Sequence, residues 1–217
     1  MSISVLAIIG DYYHPKEAIL QSLEQSLFSN NINGEIQLDL CKPDQLLKKL
    51  SARPDAVVLF TEDRVNPTDK KIYTWMTEEI ANEISQYVKN GGSWLAWHSG
   101  LSSYSIDSNY TKMLRGYFEY HPDKHQVVSY KSTSDNDILP EDVSFAVLDE
   151  HYFVHCDTEN TTVFLLSESI DGQSIAGWHH SYGEGKVCCL TPTHNKEGLL
   201  DSTFEEVLKK CIMWLAK

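Results

Sequence analysis

The sequence predicts an α/β fold, a mostly parallel sheet between two layers of helices, with antiparallel additions in its second half. Three observations carry this. Short continuous apolar runs alternate with helix-period segments through the first hundred residues, as strand–helix–strand crossovers do. Each run ends in a polar break containing Gly, Pro or Ser. The second half changes texture, to short β-type runs separated by turn residues. A length of 217 residues is enough for one domain spanning 1–217.

Ile3 to Ile9 is β-branched and apolar throughout, as expected of a strand buried on both faces. Gly10 to Pro15 breaks it, and Pro15 suits the first turn of a helix. Ile19, Leu20, Leu23 and Leu27 follow at helical spacing, and the helix fades in Ser29 to Gly34. Glu35 to Leu40 alternates polar and apolar and reads as a second strand. Pro43 to Leu50 reads as a short helix with Leu46, Leu47 and Leu50 inward. Ala56 to Phe60 is a third buried strand. Thr61 to Pro67 is a polar loop, and Thr68 or Asp69 can cap the next helix. Its stripe is Ile72, Trp75, Met76, Ile80, Ile84, Tyr87 and Val88. Gly91-Gly92 closes it. Trp94 to Trp97 is too short for a helix and too apolar for a loop, so it reads as a buried strand ending in His98-Ser99-Gly100.

In the second half, Tyr110 to Gly116 reads as a short helix and His125 to Tyr130 as a strand. Phe145 to Phe153 is strand-like with the acidic pair Asp149-Glu150 inside it. Thr162 to Leu166, Ser174 to His180 and Lys186 to Leu190 are further strands, the last two joined by Tyr182-Gly183-Glu184-Gly185. Thr191 to Asn195 breaks the last strand. Ser202 and Glu205 match a capping box for a final helix that buries Phe204, Val207, Leu208, Cys211, Ile212 and Leu215.

Right-handed crossovers send the loops after the first, third and fourth strands to one edge of the sheet. That edge is where open α/β sheets bind ligands. Asp11, His14, Glu62, Asp63, Arg64, His98 and Ser99 are thereby expected around a common crevice.

Composition narrows the function. The net charge of -13 leaves no surplus of Lys and Arg for a nucleic-acid backbone or an anionic membrane surface. No apolar run approaches a membrane span, and the amino terminus reads as a strand, not a signal peptide. Five cysteines without C-x-x-C spacing suit reduced thiols in a cytoplasm. No G-x-G-x-x-G follows the first strand and no P-loop is present, so no nucleotide cofactor is expected.

The nine histidines are the most informative set. His14, His98, His121 and His194 fall at strand ends or in loops, where a group titrating near neutrality can serve as acid or base. His179 and His180 are strand neighbours and point to opposite faces. No H-E-x-x-H or H-x-H spacing marks a metal site. No metal ligands are assigned, and a divalent metal would require convergence in three dimensions. One of Asp149 and Glu150 must face inward or toward a cleft and needs a partner there; Glu150 is the expected one. Trp97-His98-Ser99-Gly100 does not match the G-x-S-x-G of a serine hydrolase.

Several of these pieces together resemble the ThuA (trehalose-utilisation) family. The matching segments are Gly91 to Ser99; Gly116-Tyr117-Phe118-Glu119-Tyr120-His121-Pro122; Phe145-x-Val147-x-Asp149-Glu150-x-Tyr152; Trp178 with Tyr182-Gly183-Glu184-Gly185-Lys186-Val187; and Thr193-His194. The likeness runs from about residue 3 to residue 215. Departures are Ser134 to Asp137, where the family has a second His-Pro, Thr193 for a glycine, and Lys186 for an arginine.

The resemblance implies a flavodoxin-like three-layer sandwich of the class I glutamine amidotransferase-like type. The amidotransferase nucleophile, a Cys directly after the strand that begins at Trp94, is absent here. It also implies carbohydrate metabolism, on a disaccharide or keto sugar as small-molecule partner. Carried over residue by residue, His98, Glu150 and His194 are the expected catalytic groups, and Asp11, His14, His121 and Trp178 the expected substrate contacts. Trp178 would offer its face to a sugar ring. The alternative is a non-catalytic binding or regulatory module on the same scaffold. A homo-oligomer is compatible with either.

Overall fold

The computed structural model describes residues 2–28 and 36–217. The segment Ser29 to Gly34, where the first helix was expected to fade, and Glu35, expected to open the second strand, lie outside the described residues. The strands are β1 (Ile3–Ile9), β2 (Ile36–Leu40), β3 (Ala56–Phe60), β4 (Ser93–Trp97), β5 (Gly116–Tyr120), β6 (Gln126–Ser132), β7 (Ser144–Asp149), β8 (Phe153–Cys156), β9 (Thr162–Ser169), β10 (Gly172–Tyr182) and β11 (Gly185–Leu190). The helices are α1 (Lys16–Phe28), α2 (Leu46–Leu50), α3 (Glu78–Lys89), α4 (Asn109–Leu114), α5 (Lys196–Leu199) and α6 (Ser202–Leu215).

Nine strands form one sheet in the order β2-β1-β3-β4-β11-β10-β9-β6-β7, and β5 pairs with β8 in a small second sheet. The first five of that order are parallel, the rest antiparallel. The parallel half follows the doubly wound order whose chain reversal lies between β1 and β3.

Alternation along the parallel strands splits the core in two. Val5, Ala7, Val58, Phe60, Leu95, Trp97 and Cys188 pack under α1 and α6. Leu6, Ile8, Val57, Leu59, Trp94, Ala96 and Cys189 pack under α2, α3 and α4. Every residue of β3 and of β4 is buried, because each strand has a neighbour on both sides and helices above and below.

The element boundaries correct the sequence reading in several places. Thr77, not Thr68 or Asp69, caps α3, accepting a hydrogen bond from the Ile80 amide at 3.3 Å. The residues before it form a loop, pinned where the Trp75 indole N–H donates to the Glu62 carbonyl and the Met76 amide to the Asp63 carboxylate. Asp201, not Ser202, caps α6 by accepting from the Thr203 and Phe204 amides. Leu46 and Leu50 are buried but Leu47 is exposed, since the i, i+4 pair takes the one buried face of this short helix. The stretch expected as one strand from Phe145 to Phe153 is two, β7 and β8, interrupted at Glu150 to Tyr152. Gly116 opens β5 instead of ending a helix. A Cβ there would sit 2.6 Å from the Trp178 ring and the His155 carbonyl, so only glycine lets β5 cross so close.

Candidate active site

The carboxyl ends of β1, β3, β4 and β11 meet at one edge, as the topology requires. Directly after β4 the chain turns in a 3-10 helix, and His98 takes φ +48°, a left-handed conformation rare for a residue with a Cβ. The turn lifts the imidazole off the sheet. His98 is fully buried, with its ring stacked 4.0 Å from Tyr152 and 5.3 Å from Phe60. Its Nδ1–H donates to the Thr191 carbonyl at 2.7 Å. A carbonyl only accepts, so the neutral ring keeps its lone pair on Nε2. That atom is buried and has no hydrogen-bond partner. Burial pushes the His98 pKa down against the raising effect of Glu150, which favours the neutral ring.

Asp11 organises the β1 side. One of its carboxylate oxygens accepts from the Tyr13 and His14 amides and lies 2.6 Å from His14 Nδ1. The other accepts from Ser99 Oγ at 2.7 Å and the Glu62 amide at 3.0 Å. Burial raises its pKa, but the contacts with His14, Ser99 and Glu62 outweigh that and leave it lowered. Ser99 is thus a tether, not a free nucleophile. Glu62 turns to Arg64 Nη2 at 2.7 Å and Ser103 Oγ at 3.0 Å, and Asp63 accepts the Met76 amide. These three residues shape the loop.

Asp149 organises the other side. It is fully buried at the end of β7. It accepts from the His194 amide at 2.9 Å, the Asn195 amide at 3.2 Å and the Thr193 hydroxyl, and it meets His194 Nδ1 in a close ion pair. Burial alone would lower the His194 pKa, but Asp149 and then Glu150 raise it.

Glu150 stands between these clusters. Its Oε2 lies 3.6 Å from His98 Nε2 and 3.9 Å from His194 Nδ1, and its Oε1 lies 3.8 Å from His121 Nε2. Burial would raise its pKa, but the hydrogen bond and positive charge that His98 can offer, with the charges of His194 and His121, outweigh that and lower it to about 2. The His121 Nδ1–H donates to the Pro122 carbonyl at 2.9 Å, so this ring too turns its lone pair to Glu150. Side-chain exposure falls from 36% at His121 through 18% at Glu150 and 14% at His194 to zero at His98. The groups thus run from half-exposed to fully buried. The His14, His98 and His194 rings have centroids 5.3 to 5.5 Å apart. One ligand atom from each of His14, His98 and Glu150 falls within 4.8 Å of the others, and so does a second set of His125, Glu150 and His194.

A scan against family models matches residues 10–215 to ThuA, described as trehalose utilisation. The chain belongs to the ThuA family. Among solved structures, a ThuA-like protein from Parabacteroides merdae superposes with a TM-score of 0.72 at 14% identity, covering 100% of this chain and 91% of that one. One from Bacteroides uniformis gives 0.67 at 17%, covering 99% and 91%. A protein of Salmonella typhimurium described as cytoplasmic gives 0.64 at 18%, covering both chains fully. At these identities the likeness shows the fold alone. No curated protein matches. No helix among the described residues is long and apolar enough to cross a membrane.

Of the seven site residues expected from the sequence, six converge in this cluster: Asp11, His14, His98, His121, Glu150 and His194. Trp178 does not. It is fully buried in the core beneath α4, donating its indole N–H to the Leu114 carbonyl at 2.9 Å. Its strand partner Cys189 is equally buried, so no face is left for a sugar. Neither His179 nor His180 enters the site: the first contacts Asp137 and Trp214, the second the Met113 carbonyl. Sequence reasoning did not choose Asp149, although it shares strand parity with the inward Phe145. It also passed over Tyr152 and His125.

Proposed function

We propose that this ThuA-family protein is an enzyme of carbohydrate metabolism that moves a proton beside the carbonyl of an oxidised (keto) sugar. The observation that carries this reading is the pairing of His194 with buried Asp149 beside two electron-pair donors, His98 Nε2 and Glu150. A carboxylate–histidine pair fixes a tautomer and steadies the imidazolium. A ring and a carboxylate with free lone pairs can accept a proton. In the reaction the C–H bond next to the carbonyl breaks and its proton passes to a base of the His98/Glu150 pair. The electron pair moves to the carbonyl oxygen, which takes a proton from His194. The product is an enediol, which returns to an isomeric keto sugar when the proton is delivered to the neighbouring carbon. The scaffold is that of the glutamine amidotransferases with His98 at the elbow, and the site of action is the cytoplasm, as the reduced cysteines and the Salmonella relative suggest.

The test is solvent deuterium uptake into keto mono- and disaccharides, followed by NMR. Wild type should exchange the proton α to the carbonyl, and the His98→Ala and His194→Ala variants should lose on the order of 10²- to 10⁴-fold in rate. Binding without exchange would return the chain to the alternative of a non-catalytic module. Full exchange in His98→Ala would sink the assignment.

A further inference from the structure

His98 Nε2 and Glu150 Oε2 face each other across 3.6 Å. The proton of His98 is committed to the Thr191 carbonyl on the far side of the ring. In the neutral ring both facing atoms are therefore electron-pair donors. Two acceptors held together in a buried site repel unless something positive joins them. The same polarity repeats around them. His14 meets Asp11 through Nδ1 and His121 meets the Pro122 carbonyl through Nδ1, so Nε2 is the second nitrogen of each ring. A second shell of carboxylate or carbonyl on one imidazole nitrogen, with the other turned to a shared point, is how proteins orient histidines for a metal.

Distances agree. Two ligands about 2.1 Å from a tetrahedral ion stand about 3.4 Å apart, close to the 3.6 Å observed. The third donor, His14, lies within 4.8 Å of both. We propose that His14, His98 and Glu150 form a binding site for a divalent first-row transition metal, with zinc the best match to the donor set. Two imidazoles and one carboxylate are a recurring catalytic zinc set, which leaves a further position for water or a sugar oxygen. The donors are too nitrogen-rich for Mg²⁺ or Ca²⁺. The second set, around exposed His125, is less suited, because the His125 Nδ1 accepts from the Asn195 amide group at 3.3 Å. The inference concerns the pocket of the proposed sugar enzyme and rests on that reading for its role, though not for metal binding. There the ion would polarise the sugar carbonyl, and with His98 Nε2 and Glu150 Oε2 as its ligands the base would be the second carboxylate oxygen of Glu150, Oε1.

The experiment is elemental analysis of purified full-length protein, then chelation and titration of the apoprotein with Zn²⁺, and with Co²⁺ for its visible absorption. Wild type should take up about one ion per chain with a rise in melting temperature. His14→Ala and Glu150→Gln should bind at least about tenfold more weakly, and Asp11→Asn about ten- to a hundredfold. His155→Ala, outside the site, should bind as wild type does. If His14→Ala fails to fold, Glu150→Gln carries the same test at a partly exposed position. Wild-type apoprotein that takes up neither ion overturns the inference, as does full binding in His14→Ala together with loss in His125→Ala. Deuterium exchange by metal-free protein would overturn the ion's role at the carbonyl and leave the proposed function standing. Metal uptake without any sugar turnover would do the reverse.

Discussion

Asp149 holds His194 twice, by its backbone amide at 2.9 Å and by its ring Nδ1. One buried carboxylate thereby sets both the position and the tautomer of the histidine that emerges after β11. Asp11 does the same for His14 on the opposite side, through the same two groups. The site is framed by two buried carboxylate–histidine pairs with Glu150 between them.

Asp149→Asn tests that frame. The amide keeps the shape but turns an N–H toward amides and a hydroxyl that need an acceptor. Leaving such groups unsatisfied costs about 1–3 kcal/mol. Thermal unfolding should show a melting temperature several degrees lower, and keto-sugar exchange should fall well beyond what that loss of fold explains. Unchanged exchange in folded Asp149→Asn would mean that the pair only supports the fold.

The elbow makes a separate prediction. His98 sits at φ +48°, a region Asn enters readily and β-branched residues do not. His98→Asn should stay within a few degrees of wild type in melting temperature. His98→Val should be less stable than His98→Asn by about 1–2 kcal/mol. Both should be inactive. Equal stabilities would show that the turn does not need the left-handed conformation.

Much of this was legible in the sequence because the parallel half obeys simple rules. Strands buried on both faces read as unbroken apolar runs, and connection handedness then puts Asp11, His14 and His98 on one edge. The misreadings have physical causes. Ile72, Trp75 and Met76 stand at helical spacing, yet a polar loop holds them through Glu62 and Asp63. Trp178 was carried over from the family resemblance as a sugar platform, while its place in β10 between β9 and β11 buries it. Asp149 is the last residue of β7 and Glu150 the first outside it. Strand parity governs the first only, so the sequence could not show that both reach the site.

With Trp178 in the core, aromatic faces near the site that solvent reaches include Tyr12 and Tyr13, exposed 61% and 51%. Tyr13 meets His14 edge-on at 6.4 Å. An aromatic face against a sugar ring is worth about 0.5–1.5 kcal/mol, here taken to act equally on substrate and transition state. Tyr13→Ala should raise KM about two- to tenfold and leave kcat and melting temperature unchanged. Steady-state kinetics on the keto sugar decides it, and an unaltered KM would remove Tyr13 from the binding surface.

His180, far from the site, should make stability depend on pH. Burial, and then the Arg115 charge, push its pKa down from 6.5 to about 4, while its Nε2–H donates to Met113. Above pH 6.5 the ring is neutral in both folded and unfolded chains, and the full stability is present. As pH falls below 6.5 the unfolded chain takes up a proton that the folded chain refuses until about pH 4, so stability is lost through that window. The full gap corresponds to about 3 kcal/mol. Denaturant unfolding at pH 7 and pH 4.5 should therefore show a smaller acid loss in His180→Gln than in wild type, by about 2–3 kcal/mol. Gln offers an N–H to the Met113 carbonyl and has nothing to titrate. The other groups titrate in both proteins, so the difference between them isolates His180, and parallel pH profiles would show that its ring is charged in the fold.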